Sequence, residues 1–353
     1  MTLLDSMAKA RRLGRPLDRQ QQPGWQGAGA DVSELVITES DFSGANLAGA
    51  NLAGSKWLRC DLSGADLSQC RLQGTSFIDC QLDGARVNGV DADNSHLVNC
   101  SARHSQWQQS RFTRCTWMQS QLDASNWQGS QLSRCAISGG SSSGWSLDHC
   151  TLVQSALTRL DFTQASLAGL SADKTVFAGS RFAGQNLAGL SLGRCNFDSV
   201  DFANANLSGA NLSGANLHGA RLQGACLDGI AGQHLLLLEA SLTGCSLQKA
   251  RLQGALLVKA SISHCDFSGA DLSHSSWDQA KLCEVDFQGA DFGFARFNHA
   301  RGQRLDFRRC HFDRARLQGA QFDHSRFDGT SLKKTFPTDP ALLAAEQQYL
   351  EQS

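Results

Sequence analysis

The chain has 353 residues, with 32 Lys and Arg against 33 Asp and Glu, for a formal net charge of −1. That length suffices for two or three globular domains. The near-neutral balance excludes both a basic body that gathers nucleic acid by charge and an acidic one that imitates its phosphate field.

Residues 1–29 are expected to form a cap and a loop. TLLDSMAKARRLG sets apolar Leu3, Leu4, Met7 and Leu13 beside basic Lys9, Arg11 and Arg12, a short amphipathic helix that Gly14 and Pro16 stop. No apolar core follows that charged start, and no apolar run of about 18 residues occurs later. Neither a secretory leader nor a membrane span is expected, and the implied setting is cytoplasmic. The polar, Gly-rich RQQQPGWQGAGAD that comes next reads as a loop holding Trp25. A cap at this end covers strand edges that would otherwise invite aggregation.

From residue 30 to residue 334 a single periodicity takes over. Every fifth residue from Val32 to Leu332 stands in one register without insertion, as in Phe42, Leu47, Leu52, Trp57 and Leu62, and again in Phe312, Leu317, Phe322 and Phe327. A period of five fits neither a strand, at two, nor a helix, at about 3.6. It fits a stacked solenoid, in which each unit buries its apolar side only because neighbours lie above and below. The pattern weakens at Ala92, Ala102, Ser142, Ala172, Gly232 and Gly302, where the fifth-place residue is small, while Trp107, Trp117 and Trp127 are oversized. Alternating sizes are expected to distort residues 85–150 into an irregular, softer waist.

Thirteen cysteines suggest a disulfide framework until the register is applied. Eleven of them (Cys60, Cys70, Cys80, Cys100, Cys115, Cys135, Cys150, Cys195, Cys245, Cys265 and Cys310) lie two places before a fifth-place residue, where Ala, Ser and Thr otherwise stand. They read as small buried groups with free thiols, which implies a reducing compartment.

The stretch ANLSG ANLSG ANLHG ARLQG from Ala205, with SDFSG ANLAG ANLAG from Ser40, resembles the pentapeptide repeat family, and the likeness runs from residue 30 to residue 334. It implies an all-β solenoid, a right-handed four-sided β-helix of about 15 coils with four pentapeptides to a coil. At ~4.8 Å per coil that is one rod on the order of 70 Å long. The central Leu or Phe and the residue two before it are implied to point inward. The resemblance fits a non-catalytic scaffold or adaptor, since some long pentapeptide repeat proteins look associated with effector-delivery machines such as type VI secretion. The alternative it implies is a modulator of DNA gyrase or topoisomerase IV, whose terminal helix joins two rods tail to tail.

The outward places are mostly polar, so their exceptions mark candidate binding residues. One place after the centre, at twenty-residue intervals, stand Leu58, Ile78, Val98 and Met118; Leu238 and Val258 return in that column with Leu236 and Leu256 beside them. Aligned exposed apolar residues are expected to be covered by a protein partner or by a second copy. Nine Lys and Arg between Arg301 and Lys334 face four Asp, scattered around the coil rather than striped, so direct nucleic-acid binding is not expected.

Asp339 and Pro340 are expected to cap and start a C-terminal helix over residues 335–353, with Leu342, Leu343, Tyr349 and Leu350 on one apolar side available for dimerisation. No catalytic, cofactor-binding or metal-ligating residue is assigned. The elbow-like Gly140-Ser141-Ser142-Ser143-Gly144 places Ser142 at an inward position, and the histidines fall on different columns.

Overall fold

The residue types of one pentapeptide define one corner. In Phe42-Ser43-Gly44-Ala45, the Ala45 N–H donates to the Phe42 carbonyl at 3.0 Å while Gly44 takes φ 62°. That is a type II turn, whose third residue needs a positive φ. Just before the centre, the Asp41 carboxylate accepts the Ser43 N–H at 2.8 Å, which is why Asp and Asn fill that place. Successive coils then pair in parallel at an offset of twenty residues, Asp41 with Asp61 and Asn46 with Asp66.

A second corner appears at several places where the inward residue one coil further along is Ser or Cys. After the strands Lys56–Leu58, His96–Val98, Gln131–Ser133 and Ser241–Thr243, the N–H two places on leaves its own turn for a side chain one coil further along. Cys60 N donates to Cys80 Sγ at 3.4 Å, Cys100 N to Ser120 Oγ at 3.3 Å, Cys135 N to Ser155 Oγ at 3.0 Å and Cys245 N to Cys265 Sγ at 3.3 Å. The acceptors in turn donate to the carbonyl of a central residue one coil back, Cys80 Sγ to Trp57 O at 3.3 Å and Ser155 Oγ to Leu132 O at 3.1 Å. The inward cysteines are therefore more than small apolar filling. Sulfur or hydroxyl at this place couples neighbouring coils and keeps buried backbone groups paired.

The computed structural model describes residues 2–352, with side chains through Glu346, and divides into two compact units, Met1–Arg181 and Phe182–Ser353. Unit one opens with helix α1, Leu3–Leu13. Thr2 and Asp5 form its capping box, and Gly14 closes it in the left-handed conformation. Met7 and Ala10 are buried, and Arg11 reaches the Asp31 carboxylate at 2.9 Å and the Ser33 carbonyl at 2.9 Å, fixing the helix on the first coil.

The repeat begins earlier than its sequence pattern. Leu17–Asp18 pairs with Ile37–Thr38, and Gln21 and Gln26 bridge Asp41 and Asn46, so the expected loop is the solenoid's first coil. The fifth-place residues there are Gln22 and Gly27, which hid the register. Trp25 compensates by lying across Gly27, where a Cβ would meet its ring at 2.3 Å, and by meeting the edge of Phe42 at 6.0 Å.

Unit one carries an eight-stranded and a five-stranded parallel sheet. Over residues 91–138 the expected irregular waist is not observed, since paired three-residue strands run on both sheets; just beyond them Gly140, at an inward place, stands exposed with φ 81°. The oversized centres fill what the small ones leave, since Trp107, Phe112, Trp117 and Trp127 pack with ring centroids 5.0 to 6.3 Å apart. Next to Ala92 they leave a cavity of only about 10 Å³. Trp57, Trp107 and Trp127 each donate Nε1–H to the Ser two places before, at 2.9, 2.6 and 3.0 Å.

Unit two is lined mostly by Ala and closed mostly by type II corners, with one five-stranded sheet from Ser241–Thr243 to Gln321–Asp323. Its aromatic core is Phe182, Phe197 and Phe202 near its start and, from Phe267 on, Phe267, Trp277, Phe287, Phe292, Phe297, Phe307 and Phe312, in edge and stacked contacts such as Phe292 to Phe312 at 4.9 Å. Pairing ends at Arg316 with Phe336, and helix α2, Pro340–Gln352, follows. As expected, Asp339 caps it, accepting the Ala341 N–H at 2.9 Å.

Candidate protein-binding faces

In unit one, the strands Lys56–Leu58, Ser76–Ile78, His96–Val98 and Thr116–Met118 lie side by side in the eight-stranded sheet. Their register sets Leu58 on Ile78, Ile78 on Val98 and Val98 on Met118. Because alternate residues of a strand face opposite ways, Trp57, Phe77, Leu97 and Trp117 fill the core while these four stand outside. Met118 is 38% exposed and the other three are half-buried against one another.

The borders of this strip are polar and internally paired. On one corner Glu39 is shared by Arg59 at 2.8 Å and Arg19 at 3.1 Å, and Asn99 donates to Asp79 at 2.6 Å. The two guanidinium groups, Arg59 foremost, hold the Glu39 carboxyl below its ordinary range. On the other side His96 Nδ1 and Thr116 Oγ1 are 2.9 Å apart. Since α1 sits against residues 31–33, it caps the first coil and leaves the strip uncovered.

Unit two brings its four candidates together in the same way. Leu236 bridges Leu256, and Leu238 and Val258 stand two residues further along, all half-buried. Helix α2 lies back along this unit, with Leu343 Cδ1 near Gly319 and Glu346 Oε2 3.2 Å from His299 Nε2. Of the side chains expected on its apolar side, Leu343 is packed and Leu342 is 49% exposed. Those of Tyr349 and Leu350 lie outside the described residues.

The interior offers buried thiols rather than reactive ones. Burial pushes Cys70, Cys150 and Cys310 up to about 12, and all thirteen cysteines are free. Ser142 is buried, and its hydroxyl donates to the Asp161 carbonyl at 2.9 Å. No helix of the described residues is long and apolar enough to cross a membrane, and no group of His, Cys, Asp and Glu among them could hold a metal ion.

At the basic end Arg304 meets Glu284 and Arg308 grips Asp306 at 2.5 Å, which holds that carboxyl below its usual range. Two exposed aromatics nearby, Phe294 and Phe336, were not singled out from sequence. The readable signal for the first was a phenylalanine at the place where the corner demands a positive φ.

Comparison with known proteins agrees with this geometry. Residues 50–127 and 260–336 match the family described as pentapeptide repeat region, and 28–56, 175–230 and 237–273 match that described as pentapeptide repeats. Among solved structures, the chain is similar to QnrB1, a plasmid-mediated fluoroquinolone resistance protein, at 17% identity over 57% of this chain and 91% of that one, with a TM-score of 0.27. It is also similar to HetL, involved in heterocyst differentiation regulation in the cyanobacterium Nostoc, at 18% identity over 73% and 91%, with a TM-score of 0.17. No curated protein sequence matches it. A five-residue period carried through both units, with inward centres and corners of the expected kind, agrees with those family matches: the chain belongs to the pentapeptide repeat family.

Proposed function

We propose that this protein is a non-catalytic scaffold or adaptor that binds another protein through the outward apolar columns of its strands. The observation that carries the reading is the stacking of Leu58, Ile78, Val98 and Met118 on four adjacent strands, bordered by polar groups already paired with one another. A partner laid across that strip removes apolar surface from water without breaking an ion pair. The prebuilt sheet loses little conformational freedom on binding. The column Leu236, Leu238, Leu256 and Val258 offers a second such face. Thirteen free cysteines support a cytoplasmic setting. Likeness of family and size supports a place beside a bacterial effector-delivery machine of the type VI kind.

The test replaces Ile78 and Val98 with Asp in the full chain. Partner proteins retained by the immobilised wild type are expected to be lost while melting temperature holds. Unchanged partner binding and oligomeric state would remove the reading.

Gyrase or topoisomerase IV modulation requires α2 as a joint between copies, and the packing of Leu343 against its own unit counts against that. A supercoiling assay with the purified chain decides it; no effect at micromolar concentration is expected.

A further inference from the structure

Corner residues with positive φ are almost all Gly or polar in this chain, and Phe294, at φ 59° and 46% exposed, breaks that rule. A bulky side chain in this conformation is strained, and strain of this kind gathers at functional positions. Phe294 is stacked between the equivalent residues of the adjacent coils. The His274 ring lies parallel to it, 4.8 Å away at 4°, and the Arg314 guanidinium lies over it at 5.4 Å. Both ring faces are occupied, so the ring presents its edge. A shallow groove of about 480 Å³ runs beside this stack, lined by His274, Phe294, Arg296, Arg314, Arg316 and the 57% exposed Phe336.

Charge in that groove is unbalanced. Arg296 is engaged by Asp278 at 3.7 Å and Ser276 at 3.3 Å, and the nearby Asp313 by Lys334 at 3.5 Å. Neither Arg314 nor Arg316 has an acidic partner among the described residues. The Arg314 guanidinium, over the ring and without an acidic partner among the described residues, has N–H groups that can take a carboxylate in two bonds. The edge of an aromatic ring carries the positive end of its quadrupole, so Phe294 also favours an anion beside it.

We propose that this groove binds a short acidic segment of a partner protein, with carboxylates on Arg314 and Arg316 and an apolar side chain against Phe336. Single-stranded nucleic acid fits less well. Base stacking needs an open ring face, which His274 and Arg314 have taken, and two unpaired guanidinium groups are too few to follow a phosphate backbone. This surface is separate from the apolar columns, so its fate does not depend on theirs.

The test is fluorescence anisotropy on the full chain with a labelled Glu-Glu-Phe-Glu-Glu peptide, its Lys-for-Glu counterpart and a single-stranded oligodeoxynucleotide. Saturable, salt-sensitive binding of the acidic peptide alone is expected, weakened about tenfold or more by R314A together with R316A. F294G separates site from scaffold, because glycine relieves the backbone strain; it is expected to raise the melting temperature while weakening the peptide. Absence of peptide binding, binding unchanged in these variants, or tighter binding of the oligonucleotide would overturn the proposal.

Discussion

The two units solve one packing problem with different chemistry. In unit one the inward place two before the centre is filled largely by Ser, Thr and Cys, whose hydroxyl and thiol groups can accept an N–H of the preceding coil and return a bond to the carbonyl three residues before that N–H, as Ser130 does with Ser110 N and Trp107 O and Ser155 with Cys135 N and Leu132 O. In unit two that place is mostly Ala, and the N–H stays within its own turn, as from Ala215 to Leu212 O at 3.0 Å and from Ala220 to Leu217 O at 3.1 Å. A type II corner needs nothing from its neighbour, whereas an opened corner is completed by the next coil. Both units tie coil to coil by backbone pairing and ring contacts; unit one adds many side-chain ties at its corners, and unit two few, such as Cys245 N to Cys265 Sγ.

High pH should break this contrast most strongly. The unfolded thiol titrates near 9.0, and Cys70, Cys150 and Cys310 near 12 when folded, so their stabilisation is whole below pH 9 and lost as pH rises from 9 to 12. Over that range each such thiol is expected to lose about 4 kcal/mol of stabilisation. Of these three, Cys70 and Cys150 lie in unit one and Cys310 in unit two, so hydrogen exchange against pH is expected to show unit one opening first.

Cavity formation should be severe on both sides. Trp107→Ala and Trp277→Ala each remove a fully buried ring, and calorimetry should read a loss of about 3 to 5 kcal/mol for either. Gly140→Ala sharpens the comparison, because a Cβ there meets Ser120 O at 1.9 Å on a φ of 81°, whereas at Gly209, φ 64°, it meets nothing within 4 Å. The first is expected to cost about 3 kcal/mol and the second about 1 kcal/mol. Ser105→Ala, which strips the Trp107 Nε1–H of its partner, should cost about 1 to 2 kcal/mol by denaturant titration. Its counterpart Ala215→Ser should change little.

Much of this was legible from residue spacing alone. The five-residue period, the inward cysteines, the α1 stop at Gly14 and the Asp339 cap all rest on local rules that neighbouring structure does not override. The first coil was not, because Gln22 and Gly27 broke the apolar period and the compensating ring sits two places away in Trp25. Nor was the second corner, since Ser and Cys serve equally well as inert filling and as acceptors until the adjacent coil is known. The outward columns were legible as alignments at twenty-residue spacing. That α2 lies against Gly319 and His299 was not, because Leu342 and Leu343 suit either direction.

The pairing offset of twenty residues restricts how a gene for such a chain can change length. Loss of one amino acid turns every later core residue outward to solvent, while loss of a whole coil leaves each column intact but shorter. Removing one pentapeptide between Ala260 and Ala280 is subtler: the interior survives, but everything after it swings a quarter turn, carrying α2 to a different side from Leu238 and Val258. Within unit two, the direction in which a surface looks is thus heritable in steps of five residues, independently of how stably it is built.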